Sequence, residues 1–176
     1  MKRTTLTNHV KAFRNEMLMI LRFQLAFNRM FEFNDLQKIS RSDFVDKLIS
    51  LKTIENDLLI RICKFDDDTK GVHSFSKALL EINSSHPHKV EINEKVKVFR
   101  KNITPLKRNR RHTKLAHLKI GELDDDYEVR YDFVPIIKLM ANIIDLMNEK
   151  TVGYSWSDGR YEKFDLRKEI LKEEKP

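Results

Sequence analysis

Residues 7–33 read TNHVKAFRNEMLMILRFQLAFNRMFEF. Val10, Phe13, Met17, Ile20, Phe27 and Phe31 recur at steps of three, four or seven, the intervals that return a residue to one face of a helix. Leu18, Leu21 and Leu25 widen that stripe, so the spacing predicts one long helix over 7–33, covered on more than one side. A rod of this kind must bury its apolar surface against other helices. The composition agrees: with only 4 Gly and 4 Pro in 176 residues, the chain lacks the turns that sandwiches and barrels require.

The same periodicity continues down the chain. A second helix is expected from Ser42 as N-cap, with Phe44, Leu48, Leu51, Leu58, Ile62 and Phe65 on one face. It should close in a solvated acidic end, Asp66-Asp67-Asp68, followed by Gly71. A short helix around Phe75, Leu79, Leu80 and Ile82 precedes a loop in which His86 and His88 flank Pro87. These two and His73 read as exposed loop histidines, since no third ligand stands at a zinc spacing. Ile92, Val96, Phe99 and Ile103 mark another helix, and Thr104-Pro105 reads as a break before a helix over 105–120 that Gly121 would stop. Residues 132–150 are apolar nearly all round, as suits a central or interface helix. A loop or small hairpin turning at Asp158-Gly159 and a short charged helix follow. The expected fold is all-α, an antiparallel bundle of about five to six helices in a single domain spanning 1–176. Its core would lie at about 42–150, with the 7–33 helix packed on it and a loop and short helix at 151–176.

Several functions are disfavoured by what the chain contains. Cys63, the single cysteine, forms no intrachain disulfide framework or cysteine zinc cage, and fits a reducing, cytoplasmic setting. No apolar run approaches the ~20 residues of a membrane span, and no secretory signal is read, so no membrane partner is expected. P-loop and dinucleotide-binding glycine motifs are absent, and no cofactor or metal is called for.

Charge is unevenly placed. The chain has 34 Lys and Arg against 27 Asp and Glu, a net +7. Ten of those cations (Lys95, Lys97, Arg100, Lys101, Lys107, Arg108, Arg110, Arg111, Lys114 and Lys119) fall within 95–119, where no acid occurs. Such a localised footprint suits a polyanion, of which nucleic acid is the commonest.

Inside it runs Arg111-His112-Thr113-Lys114-Leu115-Ala116-His117. On a helix, Arg111 and His117 are separated by about 9 Å along the axis and about 120° around it, so both can border one groove. Arginine, then Asn, Asp or His, then four to six residues and a histidine is the signature of HEPN domains, and this stretch resembles it, with closest similarity to abortive-infection-type HEPN proteins. The resemblance implies an all-helical ribonuclease that works without metal at a homodimer interface, as a toxin or antiviral effector, with RNA as substrate and a cognate antitoxin as a further partner. It implies catalytic roles for Arg111 and His117, with His112 assisting. Arg108, Asn109, Arg110, Lys114 and Lys107 would position phosphates. Where HEPN toxins paired with nucleotidyltransferase antitoxins often carry a tyrosine two residues after the histidine, this chain has Lys119, which speaks against modification at that point.

The residue types match the chemistry. Histidine exchanges a proton near neutral pH, and a permanently charged guanidinium donates paired hydrogen bonds to phosphate. The alternatives are that His117, set between Ala116 and Leu118, is a histidine at the core's edge, and that Arg111 belongs to a solvated basic face. Two other functions use the same features: a non-catalytic helical module binding RNA or a nucleotide, and a protein-interaction domain whose broad apolar helices meet a partner.

Overall fold

The computed structural model describes residues 5–31, 38–107, 132–158 and 162–172. They form α1 (Leu6–Phe31), α2 (Arg41–Lys64), α3 (Phe75–Glu81), α4 (Lys89–Leu106) and α5 (Val134–Asn148). A two-stranded hairpin, β1 (Ser155–Asp158) and β2 (Glu162–Asp165), leads into α6 (Arg167–Leu171), a short helix of π type. The fold is all-α, as expected, with the hairpin its sole sheet among the described residues.

α1 packs against α2 and α5, and α4 against α3 and α5. Phe13, Met17, Ile20 and Leu21 of α1 are buried in the same cluster as Leu58 and Ile62 of α2, Phe99 and Ile103 of α4, and Ile137, Met140 and Ile144 of α5. Four rings, from α1, the turn after α2, α3 and α4, meet at its centre. Phe13 stacks on Phe65 at 5.2 Å, and Phe75 meets Phe13, Phe65 and Phe99 at 5.0, 5.1 and 5.1 Å. Burial of such large apolar rings is the main force holding the bundle together.

The ends of the helices depart from expectation in instructive ways. Ser40, rather than Ser42, caps α2: its Oγ accepts the Asp43 amide at 3.1 Å and donates to the Asp43 carboxylate at 2.7 Å. Both serines are good caps, and the choice between them rests on where the chain enters the helix. Phe44 and Leu48 are only half-buried, and Val45 and Ile49 are exposed, so the first half of α2 is less covered than its second. Thr104-Pro105 does not interrupt the chain: α4 runs through both to Leu106. Pro105 stands in the last turn, where it forfeits the one helical bond its amide would have made, with little helix left beyond it to disrupt, and Thr104 turns its hydroxyl back to the Arg100 carbonyl at 2.7 Å. Residues 108–120 of the expected 105–120 helix lie outside the described residues.

α5 begins with Asp132 Oδ1 accepting the Val134 amide at 3.0 Å, ahead of Pro135. Its far end is tied to the C-terminal segment through Asp145. That carboxylate accepts from Arg167 Nη2 at 2.6 Å and from the Val152 amide at 2.7 Å, while Arg167 Nη1 also reaches the Val152 carbonyl at 3.3 Å. The hairpin places Trp156 opposite Phe164, and Leu166, Ile170 and Leu171 bury behind it.

Candidate nucleic-acid interface

Arg111, His112 and His117, with Arg108, Asn109, Arg110 and Lys114, lie outside the described residues. The structure does describe the two helix ends between which that segment runs. Leu106 at the close of α4 and Phe133 before α5 are both buried, and α4 packs on α5, so the segment leaves and rejoins the chain at core-anchored points.

The α4 end is fastened by an ion-pair cluster absent from the expectations. Asp66 is 8% exposed, not solvated. It lies 2.7 Å from Arg100 Nε and 2.6 Å from Lys107 Nζ, and its carbonyl also accepts from Lys107 at 2.5 Å. Asp68 adds a longer contact to Arg100 Nη2 at 3.3 Å, at a more exposed position. Burial forces this arrangement, because a carboxylate removed from water needs cationic partners. Lys107, expected to contact phosphate, is therefore engaged with Asp66 and holds α4 to the turn after α2.

The wider footprint is altered in the same way. Lys95 lies 3.5 Å from Glu91 and Lys97 2.8 Å from Glu94, one helical turn back on α4. Of the five described cations in the 95–119 window, Lys101 alone has no carboxylate within 4 Å among the described residues. These pairs cancel much of the near field of α4. A count along the chain does not reveal this, since Glu91, Glu94 and Asp66 all lie before position 95.

The histidines are also placed differently from expectation. His73 is half-buried against His9, itself 4% exposed. Their Nδ1 atoms are 3.1 Å apart and their rings meet edge to face at 4.7 Å, so one Nδ1–H donates to the other's lone pair. Burial, reinforced by the facing His73 and by Lys77, pushes the His9 pKa down, against an opposing pull from Glu81. Its position four residues before Phe13, on the apolar face of α1, is the signal that marks it. The His86 side chain is buried as well: its Nδ1 accepts the His88 amide at 3.2 Å and its Nε2 lies 3.3 Å from Glu149, linking the α3–α4 loop to the end of α5.

Among the described residues, no three His, Cys, Asp or Glu side chains are grouped to hold a metal ion, and no helix is long and apolar enough to cross a membrane. No family model matches the chain, and no curated protein or solved structure is significantly similar to it.

Proposed function

We propose that the chain is a metal-independent endoribonuclease of the HEPN type, acting in the cytoplasm as a homodimeric toxin or antiviral effector. The observation that carries this reading is the sequence Arg111-His112 followed by four residues and His117, set in the acid-free basic window of an all-α protein. The buried anchors Leu106 and Phe133 on either side of the segment suit a reactive loop or helix held on a rigid bundle.

In this mechanism the 2′-oxygen of RNA attacks the adjacent phosphorus as His117 takes its proton. The bond from phosphorus to the 5′-oxygen breaks, and that oxygen leaves with a proton from a second acid. One copy of the motif offers a single histidine at the catalytic position, so His117 of a second copy across a twofold axis supplies the acid. Arg111 stabilises the charge that builds on the phosphoryl oxygens, and His112 orients the groove. The products are a 2′,3′-cyclic phosphate and a free 5′-hydroxyl, and DNA, lacking the 2′-hydroxyl, is not cut. A cognate antitoxin would restrain the activity.

Incubation of the purified chain with total RNA in excess EDTA tests the reading. Cleavage that survives EDTA and is lost in both Arg111→Ala and His117→Ala is the expected result. Salt-sensitive binding without cleavage would replace it with the non-catalytic RNA-binding reading. No affinity for RNA at low salt would leave a protein-interaction domain.

A further inference from the structure

A second basic surface, distinct from the 95–119 window, runs along α1. Lys11, Arg14, Arg22 and Arg29 are spread over 18 residues, which at 1.5 Å and 100° per residue is about 27 Å of helix within an arc of about 80°. Lys11, Arg14 and Arg29 are exposed and Arg22 is half-buried. Among the described residues no carboxylate lies within 4 Å of any of the four. The sole acid of α1, Glu16, projects about 160° away from the centre of this stripe. It is held there by Arg61 at 2.9 Å and Lys64 at 3.3 Å on α2.

The hairpin lies beside this stripe and supplies aromatic rings to it. The Arg22 guanidinium sits 4.8 Å from the Trp156 ring centre, and that of Arg29 5.5 Å from the Phe164 ring centre. Trp156 and Phe164 stack on each other at 5.8 Å across the strands, both half-buried. Arg14 Nε donates to the Gly153 carbonyl at 3.3 Å just before β1. Cation–π contact fixes a guanidinium by its face; exposed Arg29 keeps its in-plane N–H edge for an oxyanion, whereas Arg22 Nε is buried and its Nη1 lies 3.8 Å from Met19 Sδ, so Arg22 adds charge and position more than a direct contact.

We infer that the outer face of α1, together with the Trp156–Phe164 hairpin, is a binding track for single-stranded RNA. The chemistry is that of an electrostatic single-strand groove, a row of cations to follow the phosphates; the two rings, whose faces are taken by the guanidiniums and by each other, hold those cations in line. A lipid surface is a poorer fit, because the stripe presents no exposed large apolar side chain to embed, Leu18 being half-buried. The inference does not depend on the nuclease reading, since it uses none of that motif's residues.

Trp156 is the only tryptophan of the chain, so its emission reports on this face directly. The experiment titrates the full chain carrying His117→Ala, to prevent cutting, with a labelled uridine oligonucleotide of about 12 nucleotides, within the site sizes typical of such grooves. Trp156 emission and probe anisotropy are followed together. The expected result is a saturable change in both at the same concentration, with log affinity falling against log salt at a slope of about −2 to −3 for three or four phosphates. Arg29→Gln and Lys11→Gln alter exposed side chains; each should weaken binding about three- to tenfold and lower that slope by about 0.7. Arg22→Gln, checked for folding by circular dichroism, should add to both effects. Oligonucleotide binding that leaves Trp156 emission unchanged, or that Arg29→Gln and Lys11→Gln do not weaken, overturns the inference. So does equal competition by poly-glutamate or by anionic vesicles. A chain that binds in this way yet never cleaves RNA upholds the track and removes the nuclease reading.

Discussion

Asp66→Asn and Asp68→Asn make the same chemical change two residues apart, and the structure predicts very different outcomes. Asp66 is 8% exposed and holds both Arg100 and Lys107, whereas the Asp68 side chain is 65% exposed and makes one contact at 3.3 Å. Breaking a fully buried ion pair costs about 3–5 kcal/mol, because the surviving charge is stranded. Here that cost is reduced: Arg100 is 46% exposed and can return to water, and Lys107 retains its bond to the Asp66 carbonyl. A loss of about 2 kcal/mol is therefore expected for Asp66→Asn, and under about 0.5 kcal/mol for Asp68→Asn, as for an ordinary surface pair. For a domain of this size those values correspond to a fall in Tm of about 4–8 °C against less than about 2 °C. Thermal melts followed by circular dichroism, with urea titrations to confirm an unchanged m-value, measure both. Equal destabilisation by the two variants, or none by Asp66→Asn, would refute the claim that this carboxylate fastens the α4 end to the turn after α2.

Phe75→Ala removes the ring that three other phenylalanines touch, and should cost about 3–5 kcal/mol in urea unfolding, while Leu80→Ala, at an 81% exposed position, should stay within about 0.5 kcal/mol. The depressed pKa of His9 gives stability a defined pH dependence: the unfolded chain binds the proton more readily, so the contribution is fully present above the ordinary value of 6.5 and is lost as pH falls from there towards the folded pKa. Melts between pH 7.5 and 5 should show that loss, at up to about 1.4 kcal/mol per pH unit, and His9→Phe should flatten it; an unchanged slope in the variant would place the titrating group elsewhere. Arg167→Ala strands the Asp145 carboxylate, 15% exposed, and should lower stability by about 2–3 kcal/mol, read most directly as faster amide exchange at Val152.

The helices were legible in the sequence because apolar spacing is a local property, and α1 as far as Phe27, the second half of α2, α4 and α5 bury the stripes it marks. Their termini were less so. Ser40 and Ser42 are chemically equal caps, and Pro105 reads as a break unless its place in the last turn of α4 is known. Asp158-Gly159 reads as a loop or a small hairpin, and neither the choice of hairpin nor the stacking of Trp156 on Phe164 and the arginines lying over them is legible in the sequence.

What the sequence by itself determined was the class of fold, through the 3.6-residue recurrence of its apolar side chains, and the candidate chemistry, through Arg111 and His117 in an acid-free run. Only the tertiary structure decided which charges are neutralised and which face outward. Asp66 meets Arg100 and Lys107 from 34 and 41 positions away, and Glu16 turns from the cations of its own helix to Arg61. Coulomb energy depends on distance in space and on burial, and neither is a function of separation along the chain.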